Sequence, residues 1–163
     1  MAYLIGGPSD LLLTSTTLTE GKGFALGTRT KDENGADWCF VKAAAAITQY
    51  DTVHIDEGYL ANAITKALAD DAGQVGFAQV AFASGEYGWV MISNGEPTVR
   101  AAGSALPNVP LWTSDTAGVL TSNAASASHF PIFGVTLAAS GSAGATENVA
   151  AYAAYPVVRT TNA

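Results

Sequence analysis

The stretch Ser84–Arg100, SGEYGWVMISNGEPTVR, decides the fold class. The large side chains of YGWVM, residues 87–91, are spaced by two, so an extended chain places them all on one face. Asn94-Gly95 follows at once, and both residue types accept the positive φ angles of a two-residue turn. The pattern predicts a β-hairpin with Thr98–Arg100 as its short return strand.

The same alternation of apolar runs and turn residues continues along the chain. Asn34-Gly35 lies between FALGTRT and WCFVKA, Glu57-Gly58 lies between TVHID and YLANAIT, and Asp115–Gly118 lies between VPLWTS and VLTS. Further strand-like runs are GQVGFAQVAFA, HFPIFGVTLAAS and NVAAYAAYPVV, whereas KALADDAG predicts one helical turn. The poly-alanine run Ala43–Ala46 is flanked by Phe40, Val41 and Ile47, which favours strand over helix.

These elements predict an all-β protein, a single-domain β-barrel or β-sandwich of about ten short strands with an extended N-terminal arm. Residues 1–20 form the predicted arm, because they mix apolar residues with Gly, Pro, Ser and Thr and show no sustained period. Residues 21–163 form the predicted β-rich domain. The alternative is that the first twenty residues are an edge strand of the same domain.

The composition indicates a subunit of an assembly. The 163 residues are 48% hydrophobic and only 13% charged, which is a low charged fraction for a chain that stays soluble alone. The net charge of -7, with cationic residues scattered singly, argues against nucleic acid as a partner. The N-terminus lacks the pattern of a secretory signal and no stretch is long enough to span a bilayer, so we expect synthesis in a cytoplasm and no membrane partner.

The residues predict no catalytic, cofactor-binding or metal-binding site. His54 and His129 have no metal-ligand spacing, and the single cysteine, Cys39, lies in an apolar strand-like run that favours a buried hydrophobe over a reactive thiol. No GxSxG motif is present. The DENGAD segment is better explained as a hairpin tip than as a calcium loop, and GKGFALG as a turn than as a dinucleotide-binding loop. An enzyme is therefore the least favoured class.

The aromatic residues leave one binding function open. Trp38, Trp89 and Trp112, together with six tyrosines, could stack on sugar rings in a carbohydrate-binding β module. Each tryptophan lies in an alternating strand, however, where a large ring is more often part of a core or a subunit interface.

Three segments together resemble virion structural proteins of tailed bacteriophages. They are FALGTRTKDENGADWCFVKAAAAI, AGQVGFAQVAFASGEYGWVMISNG and LPNVPLWTSDTAGVLTS, and the YGWV strand is their most specific part. The resemblance covers residues 24 to 122 approximately and is one of pattern more than identity. The first twenty residues and the segment after Ser122 match nothing in that pattern.

The resemblance implies a capsid decoration, or cement, protein on the outside of the phage head. It implies the major capsid protein and further copies of the chain, as a homotrimer, as partners, and a location on the capsid exterior after synthesis in the host cytoplasm. A head fibre base or a tail component is the alternative within the virion. We expect the apolar residues of the arm to contact the capsid or a sister subunit: Tyr3, Leu4, Ile5, Leu11, Leu12 and Leu13.

Overall fold

A computed structural model describes residues 24–71, 73–123, 129–142 and 144–158. These residues form eleven strands and one short helix, which confirms the all-β prediction. The predicted arm and its boundary at residue 20 lie outside the described residues. The elements are β1 (Arg29–Lys31), β2 (Asp37–Ala43), β3 (Thr52–Ile55), β4 (Leu60–Ala63), α1 (Lys66–Asp70), β5 (Gln74–Phe77), β6 (Tyr87–Ser93), β7 (Thr98–Ala101), β8 (Leu111–Thr113), β9 (Leu120–Thr121), β10 (Pro131–Leu137) and β11 (Glu147–Val158).

Five strands close into a first ring, here called barrel 1, in the order β2-β4-β3-β5-β6 and back to β2. The β2–β4 pair is parallel and the other four pairs are antiparallel. Strand β1 lies outside the ring, paired with β2. Alternate residues of the strands fill the interior, as period-two patterning requires. Buried interior residues include Cys39, Val41, Val53, Ile55, Val90 and Ile92.

A second ring, here called barrel 2, has the same construction. Its order is β7-β9-β8-β10-β11 and back to β7, again with one parallel pair, β7–β9, and four antiparallel pairs. The two barrels belong to one eleven-stranded sheet, because Gln74 of β5 pairs with Val157 of β11. Val75 and Phe77 of β5 also share a core with the interior of barrel 2. The chain is therefore folded as two similar barrels that are joined in one sheet through β5 and β11.

The similarity of the barrels extends to individual residues. The parallel pair joins Ala43 to Ala61 in barrel 1 and Ala101 to Leu120 in barrel 2. In both barrels a glutamate at the start of the last strand closes the preceding loop with its carboxylate, which accepts a 2.7 Å hydrogen bond from a backbone N–H. These glutamates are Glu86, bonded to Ala83, and Glu147, bonded to Ser142. We conclude that the fold is an internal structural duplication.

The predicted hairpin over 84–100 is wrong in its pairing. Strand β6 pairs with β2 and β5, whereas β7 pairs with β11 and β9, so the two strands lie in different barrels. Asn94 does have positive φ, 55°, but the chain then continues past Gly95, which bridges to Ala153 of β11. The Asn94-Gly95 turn is thus the crossover between the barrels.

Of the other local predictions, most are confirmed and the poly-alanine prediction is wrong in part. The predicted pairs β1–β2, β3–β4 and β8–β9 are all present, and the helical turn is α1. The strand-like runs HFPIFGVTLAAS and NVAAYAAYPVV contain β10 and β11, which pair with each other. The alternation of YGWVM is confirmed, because Trp89 and Met91 pack on the outer side of barrel 1 while Val90 points to its interior. The poly-alanine prediction is wrong beyond Ala43, where β2 ends and an exposed bend begins.

A buried ion pair links the barrels. The Arg100 guanidinium of β7 lies 2.5 Å from the carboxylate of Asp51, which precedes β3 and is 3% exposed. The same carboxylate accepts a 2.8 Å hydrogen bond from the backbone N–H of Thr48. Because a buried carboxylate needs both charge and hydrogen-bond partners, the pair fixes how barrel 2 sits on barrel 1.

We predict that Arg100→Leu lowers the free energy of unfolding by about 3–5 kcal/mol, because it leaves the Asp51 carboxylate buried without its cation. Urea denaturation at neutral pH measures the change. The matched control is Lys31→Leu, which removes an ion pair with Asp37 whose lysine is 62% exposed and should cost about 0–1 kcal/mol. Equal losses for the two variants would contradict the structural role of the Arg100 pair.

Candidate functional site

Among the residues that the structure describes, the large apolar side chains that remain exposed are confined to one half of the chain. All of them lie between residues 106 and 157, in barrel 2 and its loops, although residues 24–100 make up more than half of the described chain. A soluble protein exposes single apolar residues routinely, so the one-sided clustering is the informative feature. The residues and their exposed fractions are Leu106 54%, Phe133 47%, Tyr152 52%, Tyr155 70% and Val157 44%.

Three of these side chains lie on the outer side of the β10–β11 pair. Phe133 of β10 is paired with Val157 of β11, and Tyr152 is paired with Thr136. A bulge interrupts the pairing at Gly134, whose φ is 77°. A Cβ there would come within 2.4 Å of the carbonyl oxygen of Ala154, so only glycine lets the strands approach this closely.

The bulge shapes a shallow groove of about 410 Å³ along this surface. No charged side chain is among its lining residues, which are Asn108, Val109, Pro110, Ile132, Phe133, Gly134, Val135, Thr136, Tyr152 and Ala154. A charge-free groove with an aromatic wall is typical of a contact with another protein surface.

The charged residues are distributed with the opposite bias. Residues 97–158 contain only three charged side chains, whereas residues 24–96 contain fourteen, ten acidic and four basic. All three charges of the second half are engaged. Arg100 pairs with Asp51, Asp115 pairs with Lys66, and Glu147 accepts a backbone hydrogen bond from Ser142. Barrel 2 is therefore nearly neutral on the outside, while barrel 1 is acidic.

The corresponding surface of barrel 1 is covered by the chain itself. The outer faces of β2 and β6 present Phe40 and Trp89, and the Phe24 ring packs on both, with ring centroids 5.5 and 5.2 Å apart. Leu26 packs on the same cluster. Trp89 and Met91 follow the loop-closing glutamate by three and five residues, the positions that Ala150 and Tyr152 hold in barrel 2. Met91 is 7% exposed and Tyr152 is 52% exposed.

The residues for which the sequence predicts contacts lie outside the described residues: Tyr3, Leu4, Ile5, Leu11, Leu12 and Leu13. The exposed β10–β11 surface was missed by the sequence analysis. Its signal is present as NVAAYAAYPVV, which is apolar at every second position and also between those positions, but that pattern equally fits a strand buried on both faces.

The cysteine and the histidines occupy structural positions. Cys39 is fully buried, and burial raises the pKa of its thiol, so the thiolate is disfavoured. The His54 ring is buried, and its Nε2 lies 2.8 Å from the carbonyl oxygen of Asp71. His129 Nε2 lies 3.7 Å from the Asp115 carboxylate. Within the described ranges, no three His, Cys, Asp or Glu side chains come together in a way that could hold a metal ion.

The DENGAD segment is a closed hairpin tip, as predicted. One carboxylate oxygen of Asp32 accepts 2.9 Å hydrogen bonds from the backbone N–H groups of Asn34 and Ala36. The other oxygen accepts a 3.0 Å bond from Nε1 of Trp38. The carboxylate is thus used to hold the turn.

The tryptophans do not form a common surface for a sugar. Trp38 is 4% exposed and Trp89 is fully buried, which agrees with the predicted core role. Trp112, on β8, is half-buried. Two of the three indole rings are therefore inaccessible for stacking on a ligand.

Comparison with known proteins supplies no further assignment. No family model and no curated protein matches this sequence. Among the residues that the structure describes, no helix has the length and apolar character needed to cross a membrane.

One carboxylate on barrel 1 should make stability depend on pH. Burial raises the pKa of Asp37, but hydrogen bonds from Lys31, Ser93 and Asn94, together with the Lys31 charge, outweigh it and hold the pKa below its usual value. An aspartate whose pKa is depressed by folding stabilises the fold above its unfolded pKa of about 3.9, and that contribution is lost as the pH falls through the folded pKa.

We predict that Asp37→Asn lowers the free energy of unfolding at pH 7 by about 1 kcal/mol, because the amide cannot accept the same charge-assisted bonds. The difference from wild type should shrink as the pH falls below about 3.9. Urea denaturation at a series of pH values measures both. Glu33→Gln, at the exposed hairpin tip, is the matched control, and a difference for Asp37→Asn that stays constant with pH would refute the assignment.

Proposed function

We propose that the chain is a structural virion protein that binds the outer surface of a tailed-phage capsid and stabilises the shell without catalysis. The observation that carries the proposal is the division of the molecule into an acidic barrel and a nearly neutral barrel with exposed apolar side chains. A decoration protein needs both properties, because one side must adhere to protein and the other must face solvent.

Two further features support the proposal. The three segments of the resemblance contain strands β1, β2, β5, β6, β8 and β9, and its most specific element, YGWV, lies in β6. The aromatic side chains of β6 pack against Phe24 and Phe40 on the outside of barrel 1, which gives this strand a scaffolding role. Barrels closed by pairing of their ring strands on both sides also suit a protein that must remain folded on a particle surface.

The N-terminal arm is the proposed segment of attachment to the capsid. Burying four or five of its Leu, Ile or Tyr side chains would contribute about 6–15 kcal/mol, while ordering some fifteen residues costs about 1–2 kcal/mol each. One arm alone is therefore marginal. Three arms of a homotrimer would bind at high effective concentration, and the avidity could exceed the single-arm affinity by about 10²–10⁴.

Co-sedimentation with phage heads tests the proposal. Heads prepared from a phage deleted for this chain should bind the purified protein saturably and regain resistance to heating. Cryo-electron microscopy of the reconstituted particles should show the two barrels on the outside of the shell. Protein that stays in the supernatant, or that decorates only tails or fibres, would overturn the capsid assignment.

Deleting residues 2–20 tests the arm separately. We expect the truncated protein to bind heads at least 10²-fold more weakly, in line with the loss of multivalent attachment. Far-UV circular dichroism establishes that the β-rich domain is still folded. Unchanged binding by a folded truncated protein would remove the arm from the account and leave the barrels as the site of attachment.

A further inference from the structure

We propose that the outer face of the β10–β11 pair is a contact with barrel 2 of a second copy of this chain. This β10–β11 face consists of Phe133 on β10 and of Ala150, Tyr152, Ala154 and Val157 on β11, all of which are exposed. The assignment does not depend on the capsid proposal, because it concerns the protein alone.

The duplication supplies the first argument. Barrels with the same strand order and the same strand directions present equivalent outer faces, so barrel 1 shows how such a face is satisfied. There, the Phe24 ring packs on Trp89, with ring centroids 5.2 Å apart, and Leu26 packs on the same cluster. In barrel 2 the equivalent face is exposed among the described residues, with Tyr152 at 52% and Phe133 at 47%.

The side chains provide the second argument. In barrel 1 the covered position of Trp89 holds a large ring, whereas the equivalent position in barrel 2 holds Ala150, and Ala154 follows on the same face. Small residues on either side of Tyr152 let another backbone approach closely, and the groove at the Gly134 bulge gives room for an inserted side chain. An aromatic residue that lies among small residues and beside a groove is typical of a protein–protein contact.

The charge distribution favours a second copy of the chain, joined through barrel 2, as the occupant. A contact between two copies through barrel 1 would oppose two acidic surfaces, because residues 24–96 contain ten acidic and four basic side chains, and of the acidic ones Asp51 is buried. Like charges brought within a Debye length of about 10 Å at 0.1 M salt repel each other. Contact through barrel 2 avoids this repulsion, because the three charges of residues 97–158 are engaged within the subunit. Self-association therefore favours the neutral barrel.

Sedimentation velocity of the full chain tests the assignment with a matched pair of substitutions. Ala150→Asp places a charge in the β10–β11 face, and Ala81→Asp makes the same change at an exposed loop position of barrel 1. We expect a discrete oligomer for wild type and for Ala81→Asp. For Ala150→Asp we expect at least a tenfold increase in the dissociation constant at the same protein concentration.

A second variant covers the case in which Ala150→Asp does not fold. If circular dichroism shows that Ala150→Asp is not folded, Tyr152→Ser takes its place. This substitution removes the exposed aromatic ring without adding charge, and it should also raise the dissociation constant. A wild-type protein that is monomeric at all concentrations would overturn the proposal. So would folded β10–β11 variants that associate like wild type, or an Ala81→Asp variant that dissociates equally. If these variants no longer associate but still bind capsids, or still associate but no longer bind capsids, the contact between copies is distinct from attachment to the shell.

Discussion

The fold depends on the closure of each five-stranded ring by one short parallel pair. In barrel 1 this pair joins β2 to β4, and the backbone N–H of Ala44 donates to the carbonyl oxygen of Ala61 at 3.0 Å. In barrel 2 it joins β7 to β9, and Ala102 donates to Leu120 at 2.7 Å. Closure pairs the strand edges within the ring and leaves a narrow interior that small and branched side chains can fill. The two barrels share this strand arrangement and differ in other features.

The variations lie mainly on the outside. The interiors remain alike, with Val41 and Val99 at matching positions of the first strands, while the surfaces have diverged in both charge and apolar exposure. Barrel 1 covers its aromatic outer cluster with its own chain and carries most of the acidic residues, so it suits contact with solvent. Barrel 2 keeps the same backbone and leaves an apolar face open. The two halves of the duplicated scaffold thereby differ, one being acidic and the other having an exposed apolar face.

The sequence predicts the strands well because period-two alternation is a local signal, and it correctly separates Trp89 from Val90. The pairing of β6 and β7 was mispredicted because an Asn-Gly turn has the same residue preferences in a hairpin and in a crossover. The duplication is also hard to detect, since matching segments such as VKA at 41–43 and VRA at 99–101 are short. The open β10–β11 face could not be predicted, because alternation assigns residues to faces without showing what covers each face.

The central claim is that the apolar side of barrel 2 is hidden against protein while barrel 1 remains in solvent. Hydroxyl-radical footprinting of the concentrated protein, read by mass spectrometry, tests it directly at the tyrosines. In the single chain Tyr152 and Tyr155 are 52% and 70% exposed, whereas Tyr87 of barrel 1 is half-buried. The account predicts that Tyr152 is oxidised more slowly than Tyr87 at high protein concentration and recovers on dilution. Oxidation of Tyr152 faster than Tyr87 at every concentration, as the exposure of the single chain alone would give, would contradict it.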